Sequence, residues 1–262
     1  MLLEKSCKKS RHANNGTIRL GTFHEYRETE IQQIVDKEEG IIKLYLNFEG
    51  DVKISLELFD AISPDLKIGK TSPPIFPRKT KSFFHNLSYT QPDEDHVILN
   101  NVSATIITEA YNGFVFCMSK ASHAGEFVGR FPEYDDYWNI SESSIVEFGD
   151  TLGHILLEEI GTQRTKGNHI IPEKIPLESI ELFSLTSSIT YMEREIRVTN
   201  EEPLSIEDTQ QLLSHIEFIK PIKYEPEKEF RYHYLLIANG KLIEPNAKFL
   251  IVNSEKLRKY IL

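Results

Sequence analysis

The sequence predicts an α+β fold in which mixed, mostly antiparallel sheets carry a few flanking helices. Segments rich in β-branched and aromatic residues outnumber segments with helical periodicity. Strands alternate with helices too rarely for a doubly wound parallel sheet. No linker divides the 262 residues cleanly. We therefore expect one domain over residues 1–262, with a Pro-rich insertion around residues 63–92.

The predicted strands are short, and two pairs of neighbours are joined by turn dipeptides. Gly50-Asp51 and Asn239-Gly240 are typical of hairpin turns. Gly113 to Met118 is a continuous apolar run, which predicts a buried strand that stops at Ser119. The predicted strands are Thr17 to Leu20, Ile41 to Phe48, Asp51 to Phe59, one or two within Asp95 to Thr108, Gly113 to Met118, one around Ile189 within Ser188 to Val198, Ile216 to Ile219, Phe230 to Ala238 and Phe249 to Val252.

Helical spacing is clearest between Ser141 and Ile160, where apolar residues recur every three or four positions. Ser141 or Ser143 is predicted to cap this helix, and Gly161 to end it. Phe23 to Glu30 and Ser205 to His215 predict shorter helices. Ser63 to Pro92 is predicted to be loop for much of its length, because prolines interrupt it repeatedly.

Composition argues against several function classes. The formal net charge of −10 opposes broad electrostatic binding to nucleic acid, although a local basic surface stays compatible with it. Two isolated thiols, Cys7 and Cys117, fit a reducing cytoplasm without a disulfide framework. No apolar run is long enough for a membrane span or a signal peptide, so we expect a soluble cytoplasmic protein. A solvated tail is predicted for the basic start: Lys5, Lys8, Lys9, Arg11 and His12.

The common catalytic motifs are missing. The chain contains no GxGxxG, GxxxxGK[ST] or GxSxG sequence, and therefore none of the usual nucleotide cradles or the serine-hydrolase elbow. It also lacks HExxH and any Cys/His cluster with zinc spacing, so no dedicated metal site is expected.

Two polar blocks stand about two hundred residues apart and suggest a cleft. The first, residues 16–40, contains Arg19 between Ile18 and Leu20, so alternation places Arg19 on the opposite face of the strand. Arg19 is either a solvent-facing sheet residue or an anion clamp, since a guanidinium fork fits phosphate. Tyr26 and Arg27 follow, where the ring is either core or a platform for a flat ligand. The acidic turn at residues 36–40 favours a structural role.

The second block is the strand that begins near Glu227. Glu227, Glu229 and Arg231 alternate on one of its sides, and the apolar run after them predicts that the strand enters the core. Glu229 and Arg231 are either a surface ion pair or a catalytic carboxylate with its support at a protected strand mouth.

These blocks resemble a widespread, poorly characterised bacterial family. The opening IRLGTFHEYRETE followed by DKEEG is similar to its Arg-Leu-Gly-Thr, Tyr-Arg and Asp-x-x-Glu-Gly motifs. A middle strand with Cys117 and Ser119, and a closing strand with Glu227, Glu229 and Arg231, follow in the same order. The resemblance covers less than half of the chain.

The order of these motifs also resembles the three-part signature of ADP-ribosyltransferases. That resemblance implies an ADP-ribosyltransferase-like fold and NAD as substrate. It implies that Arg19 grips NAD, that Ser119 lines the nicotinamide pocket and that Glu229 orients the ribose. Thr22, Tyr26 and Arg27 are the implied further NAD contacts, with Tyr26 against nicotinamide. The full Ser-Thr-Ser pattern around Ser119 is missing.

The resemblance implies a nucleic acid acceptor, RNA in preference to DNA, or a protein acceptor. Arg78, Lys79, Lys81 and Arg231 are the candidate acceptor contacts, the first three in a basic, Pro-rich stretch. A role as a toxin or in defence against phage, with an antitoxin partner, is compatible with it.

Two alternatives stay open. A non-enzymatic sensor would use the same polar cleft to bind a nucleotide or a phage protein. A metal-dependent nuclease would use Asp36, Glu39 and Glu229 as oxygen ligands for Mg²⁺.

Overall fold

The computed structural model of the chain describes residues 1–29, 36–66, 79–201 and 206–262. Internal contacts divide the chain into two compact units. The first comprises Met1–Glu39, Tyr111–Thr190 and Lys223–Leu262, and the second Gly40–Ala110 and Tyr191–Ile222. The α+β class with mostly antiparallel sheets and few helices is confirmed. That residues 1–262 fold as one domain with a Pro-rich insertion stays a prediction.

The strands of the described residues are short, and most of their pairings are antiparallel. They are β1 Leu2–Cys7, β2 Thr17–Thr22, β3 Ile41–Asn47, β4 Asp51–Ser55, β5 Lys79–Asn86, β6 Tyr89–Thr90, β7 His96–Asn100, β8 Ser103–Glu109, β9 Phe114–Ala121, β10 Asp136–Ser141, β11 Ile180–Ser188, β12 Thr190–Tyr191, β13 Glu195–Thr199, β14 Ile219–Lys220, β15 Glu229–Ala238, β16 Lys241–Ile243 and β17 Phe249–Asn253.

The α-helices of the described residues are α1 Phe23–Glu28, α2 Leu56–Ile62, α3 Ile145–Thr165 and α4 Ile206–Ser214. Short 3₁₀ turns connect several elements, among them Glu142–Ser144 before α3 and Ile222–Glu227 before β15. None of these described helices combines the length and the apolar character that crossing a membrane requires.

The first unit is built on an eight-stranded sheet with the central order β10-β1-β9-β15-β11. β2 also pairs with β9, β17 pairs with β2, and β16 forms a hairpin with β15. Asn239 and Gly240 have φ values of 51° and 70°, as the tight hairpin turn predicted there requires.

One edge of β9 is shared by two strands, and this splits the sheet. β1 pairs with β9 at Ser119 to Ala121, and β2 pairs with it at Phe114 and Val115. Beyond these pairs β1 continues along β10 and β2 continues along β17. The edge of β9 around Cys117 therefore faces a split between β1 and β2.

Helix α3 covers one face of this sheet. Its inward side chains include Phe148, Leu152 and Leu156, which belong to the same apolar core as Tyr232 and Tyr234 of β15. The Tyr234 hydroxyl donates to the Gly149 carbonyl oxygen over 2.8 Å, which ties the helix to the strand. Since β15 alternates, its other face carries Glu229, Arg231 and His233, all buried.

The second unit contains a four-stranded sheet, β13-β3-β8-β5, and a three-stranded sheet, β4-β7-β6. In the four-stranded sheet β13 runs parallel to β3, and the other neighbours are antiparallel. Ile42, Leu44 and Ile106 are buried on one face. The residues between them along each strand are exposed or half-buried, which leaves the second face open to solvent.

Five predictions about local structure are wrong. The predicted strand Ile216 to Ile219 is mostly a 3₁₀ turn, because Ile216–Phe218 form that turn and β14 begins only at Ile219. The basic start is not a solvated tail at Lys5, because Leu2–Cys7 form β1. Gly50-Asp51 does not make a hairpin, since β3 and β4 belong to different sheets. The predicted strand Asp51 to Phe59 ends at Ser55, whose hydroxyl accepts from Leu58 N and caps α2. α3 begins after Ser144 and passes Gly161, so neither predicted boundary holds.

Where the structure describes the Pro-rich segment, it contains more strand than the sequence predicts. Residues 79–86 form β5 and residues 89–90 form β6. Thr80, Phe83 and Phe84 are residue types that favour strands, which explains why a strand forms here despite the lysines. Residues 67–78, including Arg78, lie outside the described residues.

Candidate functional site

The candidate site lies on the face of the first unit's sheet opposite α3. Glu229 of β15 and Ser119 of β9 are direct register partners, and Glu4 of β1 is the partner of Ser119 on its other side. Two residues further along, Arg231 is the register partner of Cys117. The middle-strand serine and the late-strand glutamate that the sequence singled out therefore lie side by side.

Glu229, Arg231 and Glu39 form an ion-pair cluster. The Arg231 guanidinium donates to Glu229 Oε1 through Nε, at 2.8 Å, and its Nη2 lies 2.7 Å from the same oxygen. Nη1 of Arg231 donates to Glu39 Oε1 at 2.9 Å. Glu229 is only 5% exposed and Arg231 and Glu39 only 1%, so solvent screens these contacts little.

The protonation of the cluster follows from its burial and charges. Burial alone lowers the pKa of Arg231, but the carboxylates of Glu229 and Glu39 outweigh it and raise that pKa well above its usual range. The guanidinium is therefore permanently charged. Two carboxylates share this one cation, so with both ionised the cluster has a formal charge of −1.

The acidic turn at residues 36–40 delivers Glu39 to this cluster. Gly40 has a φ of 67°, the left-handed conformation that glycine adopts without strain. Arg27 of α1 donates from Nε to the Glu39 carbonyl oxygen at 2.7 Å and so holds the turn. The turn has a structural role, as the sequence favoured. Through Glu39 it also connects the first polar block to Arg231 of the second.

Arg19 lies on β2 and is clamped from two sides. Its guanidinium pairs with the Glu25 carboxylate, and its Cζ lies 4.3 Å from the centre of the Phe249 ring. The side chain is 33% exposed, and its partial burial lowers the pKa of Arg19. The predicted alternation is confirmed, because Ile18 and Leu20 are buried on the opposite face.

Helix α1 folds back over β2 and brings Tyr26 to the site face. A side chain on Gly21 would meet Glu25 Oε2 at 2.7 Å and the Tyr26 hydroxyl at 2.9 Å, so any larger residue there would force these two side chains to shift. Burial, with Cys117 and Glu229 adding to it, raises the pKa of Tyr26 well above its usual range, so the phenol stays neutral. Thr22 is fully buried, and its hydroxyl caps α1 and donates to the Lys248 carbonyl oxygen at 2.8 Å.

Lys5 occupies the split between β1 and β2. Its Nζ donates to the Cys117 carbonyl oxygen over 2.8 Å, at the part of β9 that neither β1 nor β2 reaches. Burial lowers the pKa of Lys5, and the nearby Cys117 and Glu229 partly offset this effect by raising the pKa. A second cationic side chain besides Arg19 therefore lies at the split.

Two carboxylates hold the loop that follows β9. Glu4 is 1% exposed and accepts from the backbone N–H groups of Gly125 and Phe127, at 2.6 and 2.9 Å. Glu126 accepts from Ser122 and from Lys228 Nζ, at 2.7 and 2.8 Å. These bonds fix the loop beside Ser119 and the start of β15.

The candidate acceptor contacts are divided between the units. Lys79 and Lys81 lie on β5 of the second unit, whereas Arg231 is in the ion-pair cluster of the first. Arg231 is 1% exposed and paired with Glu229, and its role as an acceptor contact stays a prediction. Arg78 lies outside the described residues.

The nuclease hypothesis meets a specific difficulty at Arg231. It requires a cation between Glu39 and Glu229, and the guanidinium of Arg231 takes that position. Within residues 1–29, 36–66, 79–201 and 206–262, no group of three or more His, Cys, Asp or Glu side chains could hold a metal ion.

Sequence reasoning missed Lys5, Glu4 and Glu25 as members of the site. The apolar pair Leu2-Leu3 ahead of Glu4 was the available sign of β1, but the lysines after it favoured a tail. The pairing of Glu39 with Arg231 had no sequence signal, since 192 positions separate the two.

Comparison of the chain with protein-family models, with curated proteins and with solved structures finds no match.

Proposed function

We propose that the first unit carries an NAD-dependent ADP-ribosyltransferase site with Glu229 as its catalytic carboxylate. The observation that carries this proposal is the placement of Arg19, Ser119 and Glu229 on β2, β9 and β15. β2 and β15 both pair with β9, and Ser119 and Glu229 are register partners. The three residues that the resemblance selected from the sequence thus come from neighbouring strands of one sheet.

The charge of the ion-pair cluster suits this chemistry. Cleavage of the nicotinamide–ribose bond builds positive charge on the ribose, and a fixed carboxylate stabilises that charge in a site that excludes water. Arg231 holds Glu229 in place, while Glu39 balances the guanidinium and keeps the cluster net negative. Arg231 and Glu39 are therefore positioning residues.

The other residues are compatible with a dinucleotide substrate. Arg19 is one-third exposed and Lys5 is half-buried, so two cationic side chains line the split, as a pyrophosphate requires. Tyr26 offers a neutral ring for nicotinamide, and Arg27 acts on the site through the Glu39 turn. The buried hydroxyl of Thr22 serves α1, so we assign Thr22 to positioning.

The proposal is tested by incubating the purified chain with labelled NAD and bacterial lysate, alongside Glu229→Gln. The amide keeps the shape of the side chain and an acceptor oxygen for Arg231, so we expect the fold to persist. Label transfer should fall roughly a hundredfold or more, because the charge is lost at the reacting centre. Division of the label between nuclease-sensitive and protease-sensitive material then names the acceptor class, for which we favour RNA over DNA or protein.

Glu181→Gln is a matched control, because Glu181 is an exposed carboxylate on β11, the other neighbour of β15. It should transfer label like the unchanged chain. Transfer that survives in Glu229→Gln would refute the catalytic role of that residue. A cytoplasmic toxin or phage-defence role with an antitoxin partner forms part of the same proposal, and lysate from phage-infected cells extends the test to it.

One observation favours a second candidate, a non-enzymatic sensor that binds a nucleotide or a phage protein. Glu229 is 5% exposed and directly paired with Arg231, which is also what a purely structural ion pair shows. In that case no label is transferred by any variant, and Glu229→Gln leaves ligand binding nearly unchanged.

A further inference from the structure

The open face of the four-stranded sheet in the second unit has an unusual composition. Adjacent side chains form one row across the strands, from Arg197 on β13 through Tyr45 on β3 and Thr105 on β8 to Phe83 on β5. Phe83 is 51% exposed and Tyr45 37%. Two exposed rings in one row of an open sheet face form a shared apolar surface, which is a candidate for binding a partner.

The two rings lie far enough apart for each to contact a different flat group. Tyr45 and Phe83 lie two strands apart, with Thr105 between them, so their spacing across the sheet is about 10 Å. Thr105 is short, so the surface between the two rings is shallow. A planar base can stack on each ring without meeting a bulky side chain between them.

Basic side chains border the aromatic row. Arg197 is exposed at one end of the row, and Lys43 and Lys81 lie in the next row. Counting Lys79 as well, the described residues of this face have four basic side chains against the two carboxylates Glu109 and Glu195. This local excess of positive charge contrasts with the net −10 of the chain. It complements a phosphate backbone.

The row on the other side of the rings is polar and uncharged. It contains Asn47 and Ser103, which are register partners. Such hydroxyl and amide groups are suited to hydrogen bonds with the ribose 2′-hydroxyl, the group by which proteins distinguish RNA from DNA.

We propose that this open face, made of Lys43, Tyr45, Lys81, Phe83, Thr105 and Arg197, binds single-stranded RNA. Tyr45 and Phe83 stack two bases, and the cations contact phosphates. Four-stranded sheets with aromatic side chains on an open face recur as single-strand RNA binders, because each base offers a flat ring to stack. The inference stands on the second unit alone and does not depend on the transferase.

The test measures binding of a short fluorescein-labelled oligouridine to the full chain by fluorescence anisotropy. We expect saturable binding that weakens between about 50 and 200 mM salt. Tyr45→Ala and Phe83→Ala should each weaken binding roughly tenfold, since base–aromatic stacking is lost. The double variant Lys81→Ala/Arg197→Ala removes two cations from the face. The slope of log affinity against log salt should therefore become shallower by about the contribution of two phosphate contacts.

Two matched controls lie in the same unit. Tyr89 on β6 is 41% exposed and Lys53 on β4 is also exposed, but both belong to the other sheet. Tyr89→Ala and Lys53→Ala should bind like the unchanged chain. Equal losses in these controls would overturn the assignment to the open face.

Three further outcomes would also overturn the proposal. The first is the absence of saturable binding. The second is equal affinity for oligouridine and oligodeoxythymidine, which would remove the preference for RNA. The third is self-association in sedimentation that Tyr45→Ala and Phe83→Ala abolish, which would make the face a contact between copies. Because binding is measured without NAD, failure here leaves the transferase proposal standing, and failure of the transferase leaves this one.

Discussion

Two ion pairs in this protein each join a cationic side chain to a glutamate, but they differ widely in exposure. In the first unit, Arg231 and Glu229 have side chains that are 1% and 6% exposed. In the second unit, Lys43 and Glu195 have side chains that are 25% and 57% exposed, with 3.0 Å between Nζ and Oε1. Both pairs lie on sheets, and apart from the kind of cation they differ in their access to water.

This difference determines what each pair does for the protein. Removal of a charge from water is costly, so a buried pair must keep its geometry or leave an uncompensated charge behind. An exposed pair is screened and adds little to stability, and its groups stay available for a ligand. We therefore expect substitutions in the ion-pair cluster to change folding and substitutions on the open face to change binding.

The largest expected effect is that of Arg231→Leu. The change leaves Glu39 and Glu229 buried without their shared cation, and we expect a loss of about 3–5 kcal/mol in the free energy of unfolding. Trp138 is the single tryptophan, is buried in the first unit, and reports its unfolding in urea by fluorescence.

A triple variant separates the effect of the uncompensated charges from the effect of losing the arginine side chain itself. Adding Glu39→Gln and Glu229→Gln to Arg231→Leu removes the uncompensated charges, so much of the lost stability should return. If Arg231→Leu alone lowered the free energy of unfolding by less than about 1 kcal/mol, the buried pair would behave like an exposed one. The difference drawn above between the ion pairs of the two units would then be wrong.

The same contrast explains how much of the fold could be predicted. β9, β15 and α3 have strong local patterns, since continuous apolar runs and helical spacing reflect burial of the segment itself. β1 was missed because only its N-terminal residues are apolar, while Lys5 is placed by a bond to the edge of β9. α2 was missed because Asp51 to Phe59 alternates like a strand, and the Ser55 cap decides otherwise.

In the candidate site, the sequence indicated Arg19, Ser119, Glu229 and Arg231, but it gave no sign of Glu4, Lys5 or Glu25. Alternation placed Arg19 on the correct face of β2, and the chain order of the motifs selected Ser119 and Glu229. Tertiary packing decides which groups neutralise a buried charge. The sequence therefore gave no sign that Glu39 pairs with Arg231, from which it is separated by 192 positions. The open face was hidden for a similar reason, because Tyr45 and Phe83 become neighbours in a row only through the register of β8.

An intermediate effect is expected where α3 packs on β15, the strand that carries Glu229 and Arg231. In Gly149→Ala the new methyl group would lie 2.7 Å from Cε1 of the fully buried Tyr232. Because that ring has no room to move, we expect a loss of about 1–3 kcal/mol, measured by Trp138 fluorescence in urea.

Gly161 on the same helix provides the control for this substitution. A methyl group there would have Leu177 Cδ1 as its nearest neighbour, at an ordinary 3.8 Å. Gly161→Ala should therefore be neutral or stabilise by up to about 1 kcal/mol through helix propensity. If both variants lose the same stability, the contact with Tyr232 is not the cause of the loss.

The smallest effect on stability is expected from Glu195→Gln on the open face. Its pair with Lys43 is largely exposed, so we expect a change in the free energy of unfolding below about 1 kcal/mol, measured by circular dichroism in urea. The variant also removes one of the two carboxylates from the open face, so its affinity for the labelled oligouridine should rise, most clearly at low salt. A larger loss of stability with unchanged affinity would contradict both expectations, because Glu195 would then serve folding as the buried cluster does.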